Sequence, residues 1–431
     1  MSWELKSGTK IETTDYKTAS VIQEIGRGGQ GIVYCVNCAG EDKALKWYKP
    51  SALREPDKFY ENLRRNIEAG SPADAFLWPQ HLTKRMNGTF GYIMRLRPDG
   101  YEDVAKFLKA KVRFSNEFAC VNAALKMVNA FKELHHGGYS YQDINDGNFF
   151  IDPKTGDILV CDNDNVAEYG ATFGIAGKPG YVAPEIVLGK KAPDIFTDRF
   201  SMAVMLFLLM MLARPFEGKM TTVPCLTEKL EKQFFGESPV FIFDPNNDEN
   251  RPVRGVHKNA YELWPTYPKY IRDAFIQTFT TGLKQREDRV TDHKWEELLL
   301  RLRDEMLTCP QCGWGVAYNL DDKDHVCPNK KCGYQFPQLL VLKGRRFGFV
   351  IHPGAKLYGA RTKDEAGIDE VSGEVVQNKK NPQLWGIRNL SDSVWTETTP
   401  DGKRREIKNG DVARALRGIK ISFDNADTII E

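Results

Sequence analysis

Gly26-Arg27-Gly28-Gly29-Gln30-Gly31-Ile32-Val33 constrains this chain more than any other stretch. It is a GxGxxGxV pattern, with strand-like Val21 to Ile25 before it and strand-like Ile32 to Val36 directly after it. A dinucleotide-binding fold needs a helix straight after the glycines and an acidic residue about 20 residues on, so the second strand argues against that fold. What remains is a glycine turn between two strands, either a plain hairpin or a loop whose amides close over a triphosphate, with Gly26, Gly28, Gly31 and Val33 as its markers. The chain then turns at Ala39-Gly40-Glu41-Asp42 into a third strand, Ala44 to Tyr48, which carries Lys46. A lysine in mid-strand at that register reaches phosphates under the glycine turn and needs a carboxylate to hold it; the other reading is a surface lysine. Glu61 is the first candidate partner and Glu68 the second. Both lie on an amphipathic helix expected over residues 55–69 from the spacing of Phe59, Leu63 and Ile67, with Gly70, Pro72 and Pro79 expected to end it.

A second helix is expected over 117–135, from Phe118, Val121, Leu125, Val128, Phe131 and Leu134. Tyr141-Gln142-Asp143-Ile144-Asn145-Asp146-Gly147-Asn148 follows it, then a short apolar strand, Phe149-Phe150-Ile151. Ile158-Leu159-Val160-Cys161 leads into Asp162-Asn163-Asp164. Asp and Asn at such places also serve as simple loop caps. The longest apolar run, Phe200 to Ala213, falls short of the about 20 residues that a bilayer span needs and reads as a buried helix. Residues 236–259, rich in Gly, Pro, Asn and Asp, read as a long loop insertion of the kind that is often functional.

Taken in order, these stretches resemble a eukaryotic-type (Hanks-type) protein kinase domain over residues 20–305. Ala183-Pro184-Glu185 resembles the close of an activation segment, Asp198-Arg199-Phe200-Ser201 the start of the buried central helix, and Arg289 the late arginine that pairs with Glu185. The resemblance implies ATP with Mg²⁺ or Mn²⁺. Asp143 would orient the acceptor hydroxyl and take its proton, Asn148 and Asp162 would hold the metal, and Lys46 would position the phosphates. Four departures stand out. Tyr141 replaces the usual histidine, and Gln142 the arginine that reads activation-segment phosphate. Between Asp162 and Glu185 only Tyr169, Thr172 and Tyr181 carry hydroxyls, and Thr172→Ala is expected to leave turnover nearly intact. Asn145 stands where a lysine is usual, and Lys178 is the candidate to supply that cation. Asn163-Asp164 replaces Phe-Gly, which removes an apolar contact and keeps a pseudokinase reading open.

Nine cysteines fit no secreted disulfide framework, because four of them crowd into one window. Cys309-Pro-Gln-Cys312-Gly and Cys327-Pro-Asn-Lys-Lys-Cys332-Gly match two knuckles of a structural zinc ribbon. His325 is an alternative ligand, and an iron site an alternative metal. Cys35 and Cys38 read as packing on opposite faces of a strand. Lys+Arg number 60 against 58 Asp+Glu, a net +2, so charge points to neither nucleic acid nor an anionic membrane. The first ten residues have no apolar core and are not expected to be a signal peptide. A cytoplasmic location is the expectation.

Past residue 337, short apolar–polar alternations between turns suggest an all-β module. Trp385-Gly386-Ile387-Arg388-Asn389-Leu390-Ser391 and the later Ile419 to Phe423 resemble a forkhead-associated (FHA) β-sandwich, with Arg361 and Ser372 as possible phosphothreonine contacts. The expected fold class is multidomain α+β: a two-lobed kinase fold (N-lobe 1–97, C-lobe 98–308), a zinc ribbon (309–336) and an FHA-like β-sandwich (337–431). That order resembles bacterial kinases of the tellurium-resistance-associated group, which implies protein substrates and, as partners, a PP2C-type phosphatase and a von Willebrand A-type protein. A Ser/Thr protein kinase is the first expectation. A nucleotide-binding pseudokinase scaffold is the second, and a small-molecule kinase, against which the Ala183-Pro184-Glu185 segment argues, is the third.

Overall fold

A computed structural model describes residues 2–168, 177–381 and 383–431. Tyr169 and Thr172 lie outside the described residues. The chain forms two compact units: Met1–Ser115, Ala123–Tyr261 and Asp273–Trp295 make the first, and Asn116–Asn122, Glu262–Arg272 and Glu296–Glu431 the second.

The first unit begins with β1 (Lys10–Glu12), β2 (Thr18–Arg27), β3 (Gly31–Cys38), β4 (Glu41–Tyr48), β5 (Pro79–Leu82) and β6 (Gly91–Arg95), in the sheet order β1-β2-β3-β4-β6-β5. Side chains alternate across β4. Leu45 and Trp47 join Ile11, Val21, Ile32, Val36 and Ile93 in one core cluster. Ala44 and Tyr48 join the opposite cluster with Phe59 and Leu63 of α1 (Pro56–Ala69), and Leu159. Lys46, two residues from each, shares this second face. The glycine turn joins β2 to β3. Only glycine fits at Gly31, because a Cβ there would lie 2.1 Å from the Trp47 carbonyl oxygen. Pro79 does not end α1, which stops at Ala69 with Gly70 at a φ of 80°; it opens β5 at the sheet edge, where a missing N–H costs no ladder bond.

Helices follow: α2 (Val104–Leu108), α3 (Glu117–His136), the short α4 (Pro184–Val187) and α5 (Ile195–Met211). The apolar run lies in α5, buried from Phe200 to Met211. Asp194 caps that helix, its Oδ1 accepting from the amides of Phe196 at 2.9 Å and Thr197 at 3.1 Å, while Thr197 Oγ1 accepts from the Asp194 amide. The 236–259 stretch is largely irregular, but buried Asn250 pins it by donating to the carbonyls of Phe216 and Val240.

The second unit is β-rich. A hairpin, Met306–Thr308 with Gly315–Ala317, precedes the cysteine turns. Then come a six-stranded and a four-stranded sheet. Leu342, Trp395, Ile421 and Ile430 of the first meet Leu357, Val375, Ile387 and Ala413 of the second in one core. This is a sandwich, as the alternating pattern past 337 leads one to expect. No described helix is long and apolar enough to cross a membrane.

Candidate functional site

The loop after α3 is held at its start by a carboxylate of α5. Asp198 of α5 accepts the backbone amides of Tyr141 at 2.6 Å and Gln142 at 3.1 Å, and its Oδ2 lies 3.3 Å from His135 Nε2. His135 Nδ1 in turn lies 3.0 Å from Asp292. Burial alone would depress the imidazole, but the two carboxylates lift it to about 9. Tyr141 is buried against Phe131 and Phe149 and donates its hydroxyl to the Cys161 carbonyl. Gln142 is also buried, so it turns into the fold, where its Nε2 donates to Ser140 Oγ at 3.2 Å.

Asp143 sits in the middle of this loop. Asn145 Nδ2 donates to its Oδ1 at 3.0 Å, and Asn148 Nδ2 to its Oδ2 at 3.3 Å. Burial raises the carboxyl to about 6; the two amides work against that rise, and Asp162 and Asp164 add to it. Across from it, the strand Ile158–Val160 delivers Asp162, whose φ of 55° is left-handed for a residue with a Cβ. Such a backbone persists where its surroundings over-determine it.

Lys46 reaches this segment. Its Nζ lies 2.7 Å from Asp164 Oδ2, 3.1 Å from Asp162 Oδ1 and 3.1 Å from Gln30 Oε1 of the glycine turn. Burial opposes the charge, yet the two carboxylates raise the lysine above its ordinary value. The structure thus brings Gln30, Lys46 and Asp162 together, with Asp143 and Asn148 bonded to each other in the loop across from them. It does not bring in Glu61 or Glu68. Both are exposed and both pair with Arg64. The buried face of α1 is Phe59, Asn62, Leu63 and Asn66, which turns position 61 to solvent. Asn62 and Asn66 each donate to the Val166 carbonyl, at 2.9 and 3.0 Å.

Lys178 comes to the loop at Asp146, with Nζ 2.7 Å from Oδ1, while Asn145 bonds Asp143. A cavity of about 670 Å³ opens there, lined by Asp146, Lys178 and Arg214 and by Val256 and His257 from the end of the 236–259 stretch. Arg289 is buried and holds Glu185 through two bonds of 2.8 Å.

Sequence reasoning missed Asp164 as a lysine partner, and Tyr48, whose hydroxyl donates to the same Asp164 oxygen. The period-two rule from Lys46 to Tyr48 was the available signal.

In the second unit, Cys309, Cys312, Cys327 and Cys332 place their sulfurs within 4.8 Å of one another, and they are the one such group among the described residues. The pairs 309–332 and 312–327 are 3.8 and 3.7 Å apart. A tetrahedron with metal–sulfur bonds of about 2.3 Å has edges of about 3.8 Å, so the thiol set fits a zinc-sized ion. Gly313 and Gly333, at φ of 73° and 64°, close the two turns. His325 is outside the group; its ring stacks on Tyr318 at 3.6 Å. Neither Arg361 nor Ser372 is offered to a phosphate. Arg361 Nε donates to buried Asp304 at 2.6 Å, and Ser372 is buried against Thr362.

The glycine turn and Lys46 on one side, and the loop of Asp and Asn on the other, are the parts a phosphotransferase scaffold requires. The protein kinase domain family matches residues 19–263, more than half of the chain, and the chain belongs to that family. Curated relatives agree. The probable serine/threonine-protein kinase zyg-1 of Caenorhabditis briggsae is 28% identical over 217 residues, 48% of this chain and 28% of that protein. Rat cGMP-dependent protein kinase 2 is 24% identical over 266 residues, 54% of this chain and 33% of that one, and mouse protein kinase C delta type is 26% identical over 223 residues, 50% and 32% respectively. The chain therefore spans about a third or less of the length of these relatives.

Proposed function

We propose that this chain is an ATP- and Mg²⁺-dependent protein kinase that transfers the γ-phosphate to Ser or Thr hydroxyls of protein substrates. The observation that carries it is the convergence of Lys46 and Asp162 at 3.1 Å, facing a loop in which Asn148 and Asp143 are bonded to each other. The donor chemistry fits a hard cation. Asp162 supplies a carboxylate that is 38% exposed, and Asn148, whose Nδ2 is bonded to Asp143, keeps its amide oxygen for a ligand. Bound Mg²⁺ would supply charge neutralisation at the phosphates.

The chain's own residues do the rest. Lys46 fixes phosphate oxygens under the glycine turn. Asp143, raised by burial toward neutrality of pH, orients the acceptor hydroxyl and accepts its proton. Lys178, tied to Asp146 beside the cavity, is the candidate second cation at the acceptor side. Gln142 faces inward and offers no cation to a phosphorylated segment, which supports activity independent of activation-segment phosphorylation. The four thiols are proposed to hold a structural zinc.

A second reading, a nucleotide-binding scaffold without transfer, draws on Asp162 being already engaged by Lys46. Purified protein with labelled ATP, Mg²⁺ and a generic protein acceptor separates the two. Asp143→Ala should lose at least 100-fold in rate with nucleotide affinity within about threefold, as expected for a group acting in the transition state. Nucleotide binding without transfer in the parent chain favours the scaffold, and no nucleotide binding sinks both.

A further inference from the structure

Lys46 is gripped from the interior rather than from the helix beside it. An ammonium has three protons to donate, and three acceptors surround this one: Asp164, Asp162 and Gln30. They are not equivalent. Gln30 is exposed in the glycine turn, and the Asp162 side chain is 38% exposed toward the cleft. Either can give way to a phosphate oxygen. The Asp164 side chain is fully buried, at 2.7 Å, and the oxygen that holds Lys46 also takes the Tyr48 hydroxyl. It has nowhere to go. The acids of α1 are turned away onto Arg64, and the inward positions of that helix, Asn62 and Asn66, are occupied with the Val166 carbonyl.

We propose that Asp164 is the positioning residue of Lys46: a sealed, permanent tether that aims the ammonium at the phosphates, in the place where a glutamate of α1 was expected. This rests on the nucleotide reading above, and it adds a structural consequence. Because α1 is bonded to Val166, two residues from Asp164, the lysine, its tether and the helix are fastened to one segment. The lysine's position then does not depend on α1 swinging inward.

The test reads Lys46 directly. The full-length chain is treated at pH 8 with an amine-selective succinimidyl ester, and acylation of Lys46 is followed by mass spectrometry against the other lysines as internal reference. Asp164→Asn loosens the buried anchor that holds the amine inside the fold, so acylation of Lys46 should rise fivefold or more; the Glu61→Gln/Glu68→Gln double variant should stay within twofold of the parent. A smaller rise in Asp164→Asn, or a comparable rise in the glutamate variant, overturns the proposal. If Asp164→Asn does not fold, Asp164→Glu, which keeps the charge but displaces the carboxylate, decides: a rise in Lys46 acylation of twofold or more supports the tether and unchanged acylation refutes it. Where the parent transfers phosphate, Asp164→Asn should cut kcat by 30-fold or more with KM for ATP changing less, and Asp164→Glu should recover part of it; equal losses in both variants speak for mere scaffolding and against positioning. A parent that neither binds nucleotide nor transfers phosphate removes the kinase reading alone, because the acylation result still judges the tether.

Discussion

At the scale of single residues, the buried charges decide most. His135 is raised from 6.5 to about 9 by Asp198 and Asp292, against the effect of burial. Its folded form therefore holds a proton that the unfolded chain releases. The stabilisation is fully present below about pH 6.5 and is lost as pH rises through about 9. Such a rise is worth on the order of a few kcal/mol. Urea unfolding across that window should show the fall, and His135→Gln should flatten it. Arg289 offers a second case, with its guanidinium buried on Glu185. Arg289→Ala leaves a half-buried carboxylate alone and should cost about 3–5 kcal/mol, seen as a lower denaturation midpoint at unchanged slope. This pairing could be read in the sequence, since both residues sit in ordered motifs. The partner of Lys46 could not. One residue of helix turns the side chain by about 100°, enough to exchange Glu61 for Asn62 on the inner face. Nothing in a polar stretch marks Asn62 and Asn66 as buried until the Val166 carbonyl is there to receive them.

At the scale of elements, strong periodicity was reliable. The three strands around the glycine turn, the helix over 55–69, the helix over 117–135 and the buried run in α5 all lie where alternation or 3.6-residue spacing puts them. Short edge elements were not legible. Lys10–Glu12 has three residues, and Pro79–Leu82 begins with a residue read as a breaker. Their strand state comes from pairing with a neighbour, not from local pattern. Capping was equally hidden until α5 could be placed. Asp194 makes both halves of a capping box and also pairs with Arg286. Asp194→Ala should lower stability by about 1–2 kcal/mol, measured by thermal melting, while kcat stays within twofold because the cap lies outside the cleft.

At the scale of the whole molecule, the cysteine turns share a small apolar cluster, Leu307, Val316, Tyr318 and Val350, with the first strands of the sandwich unit. Removal of the proposed metal would therefore reach beyond the knuckles. Chelation should release zinc at one ion per chain, by elemental analysis, and lower the melting of the β-rich unit by several kcal/mol, the sign expected when ligand binding energy is folding energy. An unchanged melting curve after complete chelation would contradict a structural metal. The sandwich's strand pattern was visible in advance, but the fate of Arg361 was not, because its partner Asp304 lies 57 positions earlier, in a helix. The suspension of the Tyr141–Asn148 loop from Asp198 has a practical corollary. A loop moored to a buried helix has no way to go slack while the interior stays intact. Warming should reveal no lukewarm species that is well packed yet inert, and residual turnover becomes a thermometer for the integrity of the interior.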